Sequence, residues 1–149
     1  EAVSATLDLA GKPDCRGSDF ADPGGWGTMR LEGGVIVTVD ASDYNRTPWD
    51  VRINGSEGRV LAGAGVEIEY WDGRGETWDN EEQRGSGMDV AVREIATWLD
   101  DGTPLEYQPQ EAVHVLEAIV AFHASHAKNA AWVELPLRDA DREIVVNSG

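Results

Sequence analysis

Histidine is the residue type in this sequence best suited to acid–base or metal chemistry. His123 and His126 lie three positions apart, which places both on one side of a helix. A zinc site needs a third ligand on the same side, and no carboxylate stands at the next helical turn. Histidines near a helix C-terminus also interact favourably with the helix dipole. We therefore predict a structural or solvated role for both and no metal-binding residue.

Two further side chains are candidate nucleophiles. Cys15 lies in a turn-rich segment with no histidine nearby, and Ser125 lies inside a helix without the strained turn that exposes a catalytic serine. Adjacent acids such as Asp100 and Asp101 are typical of a solvated surface. We predict no catalytic residue in this chain. As the only cysteine, Cys15 also excludes an internal disulfide and fits a reducing cytoplasm.

Glycine-rich segments were compared with the pattern that binds a dinucleotide, which needs a strand, a tight turn and a helix in that order. Gly63-Ala64-Gly65 leads from one strand pattern into another. Gly85-Ser86-Gly87 opens a helix but follows a charged loop instead of a buried strand. Both segments are therefore interpreted as turns, and no cofactor-binding residue is predicted.

One polar loop, from Ser42 to Trp49, concentrates aromatic, amide and guanidinium groups at strand ends. Such groups can stack on a polyhydroxylated ligand and hydrogen-bond its hydroxyls. Tyr44, Arg46 and Trp49 are among the residues of this loop that carry these groups. The other interpretation, which the residues alone favour, is a capped hairpin loop with a packed Trp.

Composition indicates one folded domain spanning residues 1–149, since 41% of the residues are hydrophobic and 27% are charged. The net charge of −16 disfavours binding to nucleic acid or anionic membranes. We find no transmembrane segment or signal peptide and expect a cytoplasmic location. Only two of the twelve basic residues are lysines, which fits a halophilic source or Arg-rich codon usage. A start at Glu1, in strand-like sequence, suggests a piece of a longer protein.

Alternating apolar residues predict strands in the first part of the chain. They include Ala2 to Leu9, a hairpin around Gly33-Gly34, a second hairpin through residues 54–58, and Val66 to Tyr70. The short connections imply antiparallel pairing. Trp71 and Trp78 fall on the polar side of their strands, which suggests that a partner subunit covers that side.

Helical periodicity begins near Ser86 and again at Pro109. Residues 110–128 are apolar nearly all round, which predicts a helix buried between two surfaces. Short strands are expected at Trp132 to Leu135 and Glu143 to Val146. The predicted fold class is α+β, a mostly antiparallel open-faced sheet with two main helices packed on one face.

From Ala2 to about Leu137 the sequence resembles the C-terminal domain of the Gfo/Idh/MocA oxidoreductases, which include glucose-fructose oxidoreductase and inositol dehydrogenase. The resemblance rests on five stretches, which are Val3 to Leu9, Leu31 to Val35, Trp49 to Gly58, Leu99 to Pro104 and Ala121 to Pro136. The last stretch combines an Ala-Ser helix end with a Val-Glu-Leu-Pro strand. Their order and spacing carry the resemblance.

By this resemblance, the intact protein is an NAD- or NADP-dependent oxidoreductase acting on a sugar, inositol or related polyol. An N-terminal Rossmann domain would bind the cofactor, and its Glu-Lys-Pro lysine and an Asp and His helix would supply catalysis. Neither motif occurs here, so this chain alone would be inactive and bind no cofactor. It would contribute the walls of a substrate pocket, for which Tyr44, Arg46 and Trp49 are the predicted substrate-binding residues. It would also contribute a homodimer or higher oligomer interface through its sheet. The alternative is a stand-alone carbohydrate- or protein-binding module.

Overall fold

The computed structural model describes residues 1–12, 23–42, 50–63, 65–79 and 87–146. The strands of this part of the chain are β1 (Ala2–Asp8), β2 (Gly24–Arg30), β3 (Ile36–Asp40), β4 (Val51–Asn54), β5 (Gly58–Ala62), β6 (Gly65–Tyr70), β7 (Gly75–Asp79) and β8 (Val133–Glu134). The α-helices are α1 (Gly87–Asp101), α2 (Pro109–Ala127) and α3 (Asp139–Arg142). The predicted α+β class is confirmed, with antiparallel pairing throughout the described strands.

The strands form two four-stranded sheets where the sequence pattern suggested one. Their orders are β3-β2-β1-β8 and β4-β5-β6-β7. The chain divides accordingly into two compact units, one of residues 1–45 with 107–149 and one of residues 46–106. The organisation of residues 1–149 as a single domain stays a prediction.

In the first unit, β1 is the strand on which the core is built. Its alternate residues Val3, Ala5 and Leu7 are 0%, 2% and 8% exposed. Opposite them in the core lie the small residues of α2, Ala121 and Ala124. The predicted period of two is therefore confirmed, and it orients one face of the sheet toward α2.

Glycines allow this close packing and the turn that follows it. A Cβ added to Gly27 would lie 2.8 Å from both Phe122 Cε1 and the Ser4 carbonyl oxygen. Between β2 and β3, Gly33 and Gly34 adopt φ values of 76° and 82°, which side-chain-bearing residues adopt at a cost. The predicted hairpin is confirmed, with a short 3-10 turn at Glu32–Gly34.

Helix α2 begins where the sequence predicts, at Pro109. The backbone N–H of Gln108 donates to Glu111 Oε2 at 2.8 Å, closing the reciprocal cap. Burial of α2 is confined to its C-terminal half, at Ala121, Ala124 and Ser125, whereas Val113 and Val115 in its first half are 65% and 60% exposed. The described residues do not supply the second surface expected for this helix, and that surface stays a prediction.

The end of the chain also differs from its sequence pattern. A strand was expected at Glu143 to Val146, but those residues follow α3 in irregular conformation. The Glu143 N–H donates to the Ala140 carbonyl at 3.2 Å, which completes a helical turn instead of a sheet ladder. Lys128 at the end of α2 and Asp141 form an ion pair at 2.5 Å.

The second unit is a meander whose strands share one register. Ile53, Val60 and Ile68 stand side by side, as do Val51, Ala62 and Val66 with Trp78. Directly paired residues point to the same face, so one face is mainly apolar, with Glu76 opposite Ile68, and the other carries most of the charged side chains. The placement of Trp78 on a polar side was wrong, because it lies beside Val66 on the apolar face.

Trp71 also lies outside its expected position. It follows the end of β6, in the turn, and its indole Nε1 donates to the Gly55 carbonyl at 3.2 Å. Within the described residues, no helix is both long and apolar enough to cross a membrane.

Candidate functional site

The three predicted substrate-binding residues, Tyr44, Arg46 and Trp49, lie outside the described residues. The described chain ends before them at Asp40, Ala41 and Ser42. Ala41 continues the pairing of β2 and β3 by exchanging backbone hydrogen bonds with Gly25, at 2.8 and 3.2 Å. The start of the predicted binding loop is thereby fixed to the sheet edge.

Asp40 holds the same loop start through its carboxylate. Its Oδ1 accepts from the Ser42 backbone N–H at 3.1 Å and from the Ser42 hydroxyl at 2.8 Å. These two bonds, the backbone one first, stabilise the ionised form and lower the pKa of Asp40 below its usual value. Asp40 is therefore a fixed negative charge beside the loop.

Ser125, considered above as a nucleophile, is fully buried and hydrogen-bonded on both sides. Its Oγ accepts from the Ala5 N–H at 2.8 Å and donates to the Ala131 carbonyl at 2.7 Å. With its hydroxyl proton on a carbonyl and no route to solvent, Ser125 cannot attack a substrate. Its role is structural, as the sequence predicted.

Two histidines occupy separate positions in the first unit. His126 Nδ1 accepts from the Leu7 N–H at 3.1 Å, which adds to the attachment of α2 to β1. His114 Nε2 lies 3.1 Å from Glu1 Oε2, a distance for an ion pair when His114 is protonated. Among the described residues, no three metal-binding side chains cluster together.

The described glycine-rich turn does not have the form that binds the pyrophosphate of a nicotinamide cofactor. The turn after β5 leads into β6, and the two strands are antiparallel, with Ala62 opposite Val66. A dinucleotide site needs a strand followed by a helix whose N-terminal amides meet the pyrophosphate. This part of the chain therefore does not fit the cofactor.

A concave surface with described walls lies at the C-terminal end of the first unit. This cavity, of about 640 Å³, has walls from both sides of β8 and from α3. Trp132, Leu135 and Pro136 give it an apolar side, and Arg138 and Asp139 give it charged groups. We call it the Trp132 cavity. Sequence reasoning missed it because its residues are consecutive in the chain and match no motif.

Trp132 itself is 47% exposed and held from one side by a cation. The guanidinium carbon of Arg30 lies 5.2 Å from the centroid of the indole. Arg30 Nη2 is also 3.0 Å from Glu134 Oε1. The strand register explains this ion pair. Arg30 on β2 and Glu134 on β8 both lie opposite Ala2, on the two sides of β1.

Comparison with known proteins relates this architecture to oxidoreductases. No protein-family model and no curated protein matches the sequence. An oxidoreductase from Sinorhizobium meliloti is similar in structure, with a TM-score of 0.57 and 12% identity over 90% of this chain and 46% of that chain.

A second similar structure is the WlbA dehydrogenase from Bordetella pertussis, determined in complex with NADH and UDP-GlcNAcA. Its TM-score is 0.52, with 16% identity over 93% of this chain and 39% of that chain. This chain spans less than half the length of either protein. It shares its fold with part of two oxidoreductases.

Proposed function

We propose that this chain is the C-terminal, sheet-forming domain of an oxidoreductase of the Gfo/Idh/MocA type, which acts on a sugar, inositol or related polyol with NAD or NADP. The observation that carries the proposal is the extent of the structural likeness. It includes 90% and 93% of this chain but only 46% and 39% of the two oxidoreductases. The chain thus corresponds to one part of a larger oxidoreductase architecture.

The proposed division of labour assigns cofactor binding and catalysis to a part of the protein outside the residues described here. Its described turns do not fit a dinucleotide, and its buried serine is committed to backbone groups. Cofactor binding and acid–base catalysis would therefore belong to a preceding Rossmann domain, and this chain alone would be inactive. Its own part in the reaction would be the pocket wall formed by Tyr44, Arg46 and Trp49.

Self-association through a sheet is the second part of the proposal. The apolar face of the second unit leaves Ile53 57% exposed and Trp78 48% exposed. Contiguous apolar surface of this kind is typical of an interaction site. We propose that two or more copies of the protein cover it, forming a homodimer or a higher oligomer.

The decisive experiment uses the complete gene product. We would sequence the coding region upstream of Glu1, express the whole protein, and follow NADH and NADPH formation with inositol and a panel of aldoses. The proposal expects a glycine-rich strand-turn-helix upstream and turnover with at least one polyol. Tyr44→Ala and Arg46→Ala would raise KM, while Arg59→Ala, in a surface ion pair of the second unit, would serve as the control.

Two results would contradict the proposal. An upstream region that holds only a start codon or an export signal would favour a stand-alone carbohydrate- or protein-binding module. Turnover of a polyol by residues 1–149 alone would show that catalysis does not need a preceding domain.

A further inference from the structure

We propose that an apolar strip on helix α2 is covered, in the intact protein, by the part of the chain that precedes Glu1. The strip consists of four exposed side chains, which are Val113, Val115, Leu116 and Ile119. Their exposed fractions are 65%, 60%, 56% and 46%. The inference rests on the function proposed above, which places a further domain before Glu1.

Helical spacing joins the four side chains of the α2 strip into one surface. Val113, Leu116 and Ile119 follow one another at intervals of three residues, and Val115 stands four residues before Ile119. Side chains at these intervals are neighbours on the surface of a helix. The strip is therefore continuous apolar surface, which is typical of an interaction site, whereas single exposed apolar residues are not.

Charged groups are directed away from the strip. Residues 112–122 contain only two ionisable side chains, His114 and Glu117. His114 Nε2 lies 3.1 Å from Glu1 Oε2. Glu117 Oε1 accepts a hydrogen bond from the Leu137 N–H at 2.8 Å. A helix side that faces water normally carries charged or polar residues, so the uncharged side of α2 has the composition of a covered surface.

The position of Glu1 identifies what covers the strip. Its carbonyl oxygen accepts from the Leu135 N–H at 3.0 Å, and its carboxylate lies beside His114. Ala2, the next residue, is 1% exposed. Residues before Glu1 therefore leave the sheet next to the part of α2 that carries the strip.

A segment attached at Glu1 has an advantage over a separate molecule, because its attachment gives it a high effective concentration at the strip. The structural likeness also provides enough chain for this role. It includes 46% and 39% of the two oxidoreductases, so an architecture of that kind has more chain outside the matched part than within it. A second copy of the protein would have to reach the strip without such an attachment.

The test is photo-cross-linking of the complete gene product with Leu116→p-benzoylphenylalanine. After irradiation and digestion, we expect mass spectrometry to find position 116 joined to residues before Glu1 of the same chain. Leu9→p-benzoylphenylalanine is the matched control, because Leu9 is 47% exposed and follows the end of β1 that is remote from Glu1. A cross-link from position 116 to a second copy, or to nothing, overturns the proposal.

A second measurement keeps the test valid if the larger side chain at position 116 prevents docking. Hydroxyl-radical footprinting compares Leu116 with Leu9 in the unmodified complete protein, each relative to the unfolded state. We expect modification of Leu116 to be about fivefold slower than that of Leu9, because side chains at the centre of an interface are fully buried. Equal rates at the two leucines would show that the strip stays in water.

The outcomes separate this inference from the proposed function. Turnover of a polyol with NAD or NADP, together with equal footprinting rates, contradicts the docking surface alone. A cross-link from position 116 to the preceding chain in a protein without turnover supports the docking surface and contradicts only the oxidoreductase assignment.

Discussion

The hydroxyl of Ser125 accepts a 2.8 Å hydrogen bond from the backbone N–H of Ala5, a residue 120 positions away in the sequence. The reason for this contact is the hydrogen bonding of the β1 backbone. Strand β8 pairs with β1 only at Ala2 and Val3, so beyond them the outer edge of β1 has no strand partner among the described strands. Ser125 and His126 supply acceptors there for the N–H groups of Ala5 and Leu7. Side chains of α2 thereby accept the hydrogen bonds that a neighbouring strand would otherwise accept.

Replacement of the buried hydroxyl tests this account. Ser125→Ala removes a hydroxyl that is 0% exposed and leaves the buried Ala5 N–H and the part-buried Ala131 carbonyl without their partner. An unsatisfied buried polar group costs about 1–3 kcal/mol, so we expect a loss of stability of at least that size. Urea unfolding monitored by circular dichroism measures it.

Ser42→Ala is the control for this prediction, because Ser42 is not fully buried and its hydroxyl donates to the carboxylate of the exposed Asp40. Its substitution should change the free energy of unfolding by less than about 0.5 kcal/mol. Equal effects of the two substitutions would show that the bridge to Ala5 adds no stability.

Gly27 gives an independent test of the packing of α2 on the sheet. In Gly27→Ala the new Cβ would approach the Ser4 carbonyl oxygen at 2.8 Å and Ala5 Cβ at 2.9 Å. Neither group can rotate away, so the strand must shift, at a cost of about 1–3 kcal/mol. Thermal unfolding would show a lower Tm.

Gly75→Ala serves as the comparison, since the Cβ there would lie 3.4 Å from the Ile68 carbonyl, an ordinary contact, in an exposed strand. We expect an unchanged or slightly higher Tm, because alanine restricts the unfolded chain. A tolerated Gly27→Ala would mean that Phe122 and β1 are less tightly packed than the structure has them.

Sequence patterns predicted the local elements of this fold well, for physical reasons that specific residues show. The alternation through Val3, Ala5 and Leu7 records a face buried on α2, and Pro109 marks a helix start by its missing N–H. The division into two sheets was not predictable in this way. Short hairpins determine which neighbouring strands pair. The composition of residues 41–50, between β3 and β4, does not indicate that one sheet ends and another begins there.

Trp78 and the Trp132 cavity are two features that the sequence patterns could not predict. The short strand Gly75–Asp79 has too few apolar residues for its inward face to be read from alternation, and only the pairing with Val66 reveals it. Arg30, which lies over the Trp132 ring, is about a hundred positions away from it in the sequence. No spacing rule connects such residues before the sheet is formed.

Association through the apolar face of the second unit predicts a difference between adjacent residues. Ile53→Asp places a charge on that face, opposite Val60, whereas Asn54→Asp places the same charge on the other face, opposite Arg59. We expect Ile53→Asp to shift the protein toward monomer in light scattering, and Asn54→Asp to leave the mass unchanged. The measurement belongs at high salt, where repulsion between acidic subunits is screened. A monomer in the unmodified protein, or equal effects of both variants, would contradict the proposed interface.

The end of α1 predicts a pH dependence of stability with a defined sign. Asp101 Oδ1 accepts from the Thr103 hydroxyl at 2.6 Å and from its backbone N–H at 2.9 Å. The hydroxyl bond first, and then the backbone bond, lower the pKa of Asp101 below its usual value. A carboxyl with a lowered folded-state pKa stabilises the folded state above its unfolded pKa, and this stabilisation disappears as the pH falls through the folded value.

Asp101→Asn should therefore reduce the stability of α1 at neutral pH and make no difference at a pH well below 3.8. Thr103→Val, which removes the hydroxyl but keeps the backbone N–H, should give a smaller loss with the same pH profile. Helix content followed by circular dichroism during urea unfolding, at a series of pH values, measures both. If the gap between Asp101→Asn and the unmodified protein stayed constant down to the most acidic pH, the Thr103 contacts would not be its source, since only an ionised Asp101 can lose a charge-assisted bond on acidification.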